Sequence, residues 1–193
     1  MAMHYHIEIR PKTLYFKKPA GTSRGTYTER KSWYICLTAE ETPGRQGIGE
    51  CAPLPKLSCD DVPGYEEVLA KACQNYTRTG RINVDELRDY PSILFGLETA
   101  IRHFEAGSFA LWDTPFSRGE TGIPINGLVW MGSYEEMLKQ AADKIKSGFR
   151  CIKLKIGAID FDKELEILRI IRKQFSSDEI ELRVDANGAF SPN

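Results

Sequence analysis

Two stretches, Cys151-Ile-Lys-Leu-Lys-Ile-Gly157 and Ile180-Glu-Leu-Arg-Val-Asp-Ala-Asn187, decide how the second half of the chain is read. Each alternates with the period of two that marks a β-strand. In the first, Ile152, Leu154 and Ile156 share one face, and Cys151, Lys153 and Lys155 share the other. In the second, Ile180, Leu182 and Val184 stand opposite Glu181, Arg183, Asp185 and Asn187. Parallel strands are usually apolar on both faces, and Lys153, Lys155, Glu181, Arg183 and Asp185 break that habit in matching phase. Lys155 and Asp185 stand toward the C-terminal ends of their strands, where ligands and catalytic groups collect in α/β folds. Adjacent strands lie about 4.8 Å apart, so pairing these two would bring an ammonium and a carboxylate into one pocket. The alternative is a solvated outer face on a small open sheet.

Outward from these strands the pattern is regular. Ser133 and Glu136 form a capping box that opens a helix with Tyr134, Met137, Leu138, Ala141, Ala142 and Ile145 on one face. A second helix carries Phe161, Leu165, Leu168, Ile171 and Phe175 inward, and the run KELEILRIIRK (163–173) reads as its charged outer face. With IPINGLVW (123–130) as the preceding strand, residues 120–193 read β-α-β-α-β, the order of a parallel sheet with helical crossovers. A complete (β/α)₈ barrel takes about 250 residues, so three strands make either a small open sheet or the start of a barrel.

Residues 1–119 read as an α+β unit with a linker, DTPFSRGETG (113–122), at its end. Met3, Tyr5, Ile7 and Ile9 alternate in one strand, Trp33, Ile35 and Leu37 in a second, and GIGECAPLP (47–55) forms a third extended piece. Between the first two, KKPAGTSRGTYTER (17–30) is polar and glycine-bearing and reads as a mobile loop. Tyr65, Val68, Leu69, Ala72, Cys73 and Tyr76 fall at helical spacing. PSILFGLETAIRHFEAG (91–107) is apolar on most faces, which predicts a deeply buried helix ended by Gly107.

Composition narrows the function classes. Among 193 residues, 26 Lys and Arg balance 27 Asp and Glu, for a net charge of −1. That balance offers no footprint for nucleic acid or an anionic membrane. No apolar run approaches a membrane span, and the N-terminus lacks a signal-peptide core. Five cysteines, an odd number with no CxxC pair, read as reduced thiols in a cytoplasmic protein. His4 and His6 share a strand face but lack a third metal ligand. Trp33, Trp112 and Trp130 read as core or interdomain packing, with Trp130 a candidate substrate contact, and His103 as structural or partly exposed and not catalytic.

Chemistry gives the charged strand faces a purpose. A lysine crowded by a second cation has its ammonium disfavoured and becomes a better base. An aspartate at a strand end is a hard oxygen ligand suited to Mg²⁺. A divalent cation beside a substrate carboxylate stabilises the enediolate that forms when the α-proton is removed, and the lysine takes that proton.

The motifs Lys153-Leu154-Lys155 and Val184-Asp185-Ala186-Asn187, behind an α+β front unit, resemble the muconate-lactonizing subgroup of the enolase superfamily. PSILFGLETA (91–100) and GECAPLP (49–55) are similar to a dehydratase branch of that subgroup. The resemblance implies an α+β capping domain over 1–119, then the start of a TIM-type barrel over 120–193 with about three of its strands. It implies Lys155 as general base, Lys153 beside it, Asp185 as a Mg²⁺ ligand, and Asn187 and Arg183 lining or bracing the site. The implied reaction on a small carboxylate substrate is a syn-dehydration through an enediolate; dipeptide epimerisation and muconate cycloisomerisation use the same lysines. The loops near 18–29 and 52–60 would cover the barrel mouth. The family places two further acidic ligands on the fourth and fifth strands and a lysine on the sixth. This predicts a piece of a longer enzyme, inactive by itself, whose open barrel edge invites self-association. A non-catalytic α+β binding module is the alternative from another class.

Overall fold

The structure, a computed structural model, describes residues 3–22, 25–157, 159–186 and 188–191, with Thr22 as backbone only. The chain divides into two compact units, one running to Ala20 with Thr26–Gly122, the other joining Gly21–Gly25 to the residues from Ile123.

β1 (Tyr5–Thr22), β2 (Gly25–Ala39) and β3 (Gly47–Cys51) form a sheet in that order, which belongs to the first unit apart from Gly21, Thr22 and Gly25. β2 and β3 are antiparallel, with Ile35 opposite Gly49. The segment 17–30, expected as a mobile loop, instead belongs to the two long strands of a hairpin, with Ser23 and Arg24 outside the described residues. Lys17, Lys18, Thr28 and Glu29 are exposed, so no buried face imposes apolar alternation there. Ladder hydrogen bonding persists where the period-two signal fades.

Helices α1 (Tyr65–Thr79) and α2 (Pro91–Ala106) complete this unit, and Ile35, Leu37, Leu69, Ile93 and Leu97 form the centre of its core. Gly107 ends α2 at φ 69°, its N–H donating to the carbonyl of His103. α2 is not buried on most faces. Its inward stripe is Ile93, Gly96, Leu97, Ala100, His103 and Phe104, while Phe95, on the opposite side, is 63% exposed. The helix packs against a sheet on one side only, which leaves Phe95 outside. His103 is structural, its Nδ1 accepting the N–H of Ile48 at 3.0 Å. Trp112 is exposed and so is not a core residue. Buried Asp60 fastens the 52–60 segment to the start of α2, its Oδ2 accepting the N–H of Ser92 at 2.8 Å.

In the second unit, β4 (Gly127–Val129), β5 (Cys151–Lys155) and β6 (Glu181–Asp185) are parallel, in that order, with α3 (Tyr134–Lys146) and α4 (Phe161–Gln174) as crossovers. The capping box of Ser133 and Glu136 is present in both directions. Ile152, Leu154 and Ile156 meet Met137, Ala141, Ile167 and Ile171 in one core. Three expectations shift. β4 is shorter than the 123–130 reading, because Ile123 and Ile125 are exposed and unpaired in the ladder. Val184 is 52% exposed, since β6 is an outer strand of the sheet. α4 turns Glu164, Ile167 and Ile171 inward while Phe161 faces out, so the run 163–173 is not wholly an outer face. Among the described residues no helix is long and apolar enough to cross a membrane.

Candidate active site

Parallel pairing of β5 and β6 sets Lys153 opposite Arg183 and Lys155 opposite Asp185. Alternation then does the rest. With Ile152 and Leu154 committed to the core, the two lysines must emerge on the other face, in phase with Asp185.

One carboxylate oxygen gathers both lysines. Lys155 Nζ donates to Asp185 Oδ2 at 2.9 Å, and Lys153 Nζ forms an ion pair with the same oxygen at 2.8 Å. Lys155 is the most sheltered of the three side chains at 18% exposed, against 27% for Asp185 and 33% for Lys153. The carboxylate stands between two ammoniums and offsets their mutual repulsion. That arrangement brings both lysine amines to one carboxylate oxygen. It also differs from the sequence picture, in which the second cation alone shapes the base. The backbone reinforces the pairing, the N–H of Ile156 donating to the carbonyl of Asp185 at 3.0 Å.

Arg183 shares the strand face but turns along its own strand, Nε donating to Glu181 Oε1 at 2.8 Å. That hydrogen bond raises the Arg183 pKa and lowers that of Glu181. Both side chains are more than half exposed, so the pair adds little to stability. Arg183 therefore lies beside Lys153 in the register and is engaged with Glu181. Asn187 lies outside the described residues. Trp130, just past β4, is held by Gln140, which accepts its backbone N–H at 2.8 Å and donates to its carbonyl at 3.2 Å.

For a divalent cation, Asp185 offers a hard carboxylate whose Oδ2 already pairs with two ammoniums. Among the described residues no three His, Cys, Asp or Glu side chains converge on one point. One carboxylate fits a Mg²⁺ ion as a single ligand and does not make a complete site.

Sequence reasoning missed Glu164. It is almost fully buried, and the available signal was its place one and two helical turns before Ile167 and Ile171 on the inward stripe of α4. A charged residue inside a charged run gives that signal little weight.

Known proteins similar to this chain bear on its family. Residues 22–104 match the family described as MenC, N-terminal domain, and residues 136–193 match Enolase C-terminal domain-like. The chain is 37% identical to an o-succinylbenzoate synthase of Desulfotalea psychrophila, over 96% of its own length and 58% of the relative's. It is 36% identical to an L-Ala-D/L-Glu epimerase of Bacillus subtilis, over 91% of its length and 50% of the relative's. A crystal structure of MenC from Desulfotalea psychrophila superposes with a TM-score of 0.69 at 30% identity, covering 98% of this chain and 58% of that one. An o-succinylbenzoate synthase from Thermosynechococcus elongatus, solved with Mg in its active site, shares the fold with a TM-score of 0.66 at 24% identity, over 96% of this chain and 53% of that one. The chain thus spans little more than half the length of these proteins. Two family matches in succession, and near-complete alignment to an o-succinylbenzoate synthase, show that the chain belongs to the enolase superfamily.

Proposed function

We propose that this chain supplies the α+β capping domain (1–119) and the first three barrel strands (within 120–193) of an o-succinylbenzoate synthase working in the cytoplasm in menaquinone biosynthesis. The observation that carries the reading is the register of Lys155 opposite Asp185 at the strand ends, on a chain 37% identical to such a synthase.

In this reading Lys155, as the neutral amine, takes the proton from the carbon next to the substrate carboxylate. The resulting ammonium then returns that proton to the hydroxyl on the neighbouring carbon. One C–H and one C–O bond break, a C=C bond forms, and one water leaves. Lys153 stands alongside to orient the substrate carboxylate, and Arg183 and Asn187 line the substrate side. Asp185 serves as one ligand of a Mg²⁺ ion, with the other ligands on the barrel strands that the family adds. A cation held there would neutralise charge beside the substrate carboxylate.

A second reading has support from the 36% identity to an L-Ala-D/L-Glu epimerase. It keeps Lys155 as a base and changes the substrate to a dipeptide. The test is direct: the chain, and a version carried to the relatives' length, are each given the succinyl-hydroxycyclohexadiene carboxylate and L-Ala-L-Glu in Mg²⁺. The proposal expects dehydration in the longer version and none in the 193-residue chain. A folded longer version that epimerises the dipeptide and leaves the cyclohexadiene untouched contradicts it.

A further inference from the structure

Glu164 carries a carboxylate where the fold has no obvious need of one. It is 1% exposed, and the next inward positions on α4, Ile167 and Ile171, are apolar. A buried carboxylate is costly unless hydrogen bonds compensate it. Here its two oxygens accept the N–H of Gly157 at 2.8 and 2.9 Å, and Oε1 reaches the N–H of Ile159 at 3.5 Å. The first turn of α4 adds its own positive end.

What the carboxylate grips is the turn leaving β5, and that turn adjoins the site. Gly157 lies two residues beyond Lys155, at φ 89°. A Cβ on Gly157 would stand 2.3 Å from the Cβ of Ala189, so this turn runs hard against the segment that follows Asp185. The intervening residue, Ile156, donates its N–H to the Asp185 carbonyl at 3.0 Å. Displacing Gly157 therefore shifts the end of β5 relative to the end of β6, and with it Lys155 relative to Asp185.

We propose that Glu164 is a positioning residue for Lys155, a buried carboxylate that clamps the β5–α4 turn and thereby fixes the lysine against Asp185. Its kinetic consequence rests on the dehydratase reading; its structural consequence does not.

The test uses Glu164→Ala and Glu164→Gln in the 193-residue chain and in the version carried to the relatives' length. Crystal structures of the alanine variant are expected to show the 157–160 turn displaced and the Lys155–Asp185 contact lengthened beyond its 2.9 Å. In the longer version kcat is expected to fall about tenfold to a hundredfold, the scale of a small misplacement, with KM nearly constant. Glutamine keeps one acceptor for the Gly157 N–H and should restore most of kcat, which a loss of fold stability alone would not predict. An alanine variant with the turn in place, the contact intact and kcat per folded molecule unchanged overturns the proposal. If the alanine variant does not fold, Glu164→Asp decides: its shorter side chain should withdraw from the Gly157 N–H, with faster amide exchange at Gly157 and a lower kcat, and unchanged exchange with unchanged kcat overturns the proposal. A wild-type protein with no dehydratase activity would refute the functional reading, and the crystallographic comparison would still judge the clamp.

Discussion

Cys51 and Cys73 are buried in the core of the first unit, and burial pushes both thiols up to about 12 from an ordinary 9.0. Tyr65 and Tyr76, in the same core, are raised for the same reason. The folded state therefore holds these protons more tightly than the unfolded chain does. Their contribution to stability is complete below about pH 9 and is lost as pH rises toward the folded values. Urea unfolding midpoints should accordingly be insensitive to these groups between pH 7 and 9 and fall above that. A sharper check is alkylation with iodoacetamide at pH 8, read by peptide mass spectrometry. Exposed Cys59 should be modified in the native protein, and Cys51 and Cys73 only at the rate of unfolding. Native-state modification of Cys51 at the rate of Cys59 would contradict the packing described.

At the scale of elements, α2 lies on β3 through glycine. A Cβ on Gly49 would come within 1.8 Å of the Gly96 carbonyl oxygen, and one on Gly96 within 2.3 Å of Cys51 Sγ. This close crossing gives physical content to the 49–55 and 91–100 segments, whose resemblance was otherwise a matter of pattern. Gly96→Ala should gain about 1 kcal/mol in helix propensity and lose about 1–3 kcal/mol to overpacking, for a net loss of stability. Gly49→Ala, which meets backbone that cannot turn aside, should cost more. Equilibrium urea unfolding of the two variants measures both, and a Gly49→Ala protein as stable as wild type would overturn this account of the crossing. In the second unit the corresponding element-level contact is between side chains, Ile152 and Leu154 against Met137, Ile167 and Ile171, and it tolerates the larger residues it contains.

Across the whole molecule, much of the fold was legible because burial leaves a periodic mark. The β-α-β-α-β order, the capping box at Ser133 and the stop at Gly107 all follow from local rules that the structure obeys. The hairpin arms through 17–30 were not legible, since a ribbon exposed to water needs no apolar phase. Phe95 was misplaced because an apolar residue does not announce which side of a helix will find a partner. At the site, parity placed Lys153, Lys155 and Asp185 on one face. Their meeting on a single oxygen depended on the register between strands, which one strand's sequence does not contain. Glu164 stayed hidden because its partners are backbone N–H groups, which every residue carries. The central claim is that Lys155, held on Asp185, is the base. It is tested most directly by the kcat of Lys155→Ala for o-succinylbenzoate formation, in the version carried to the relatives' length and with its fold verified by circular dichroism. The account predicts a fall of about 10²–10⁴-fold, the usual contribution of a general base; a folded Lys155→Ala protein that retains wild-type kcat would contradict it.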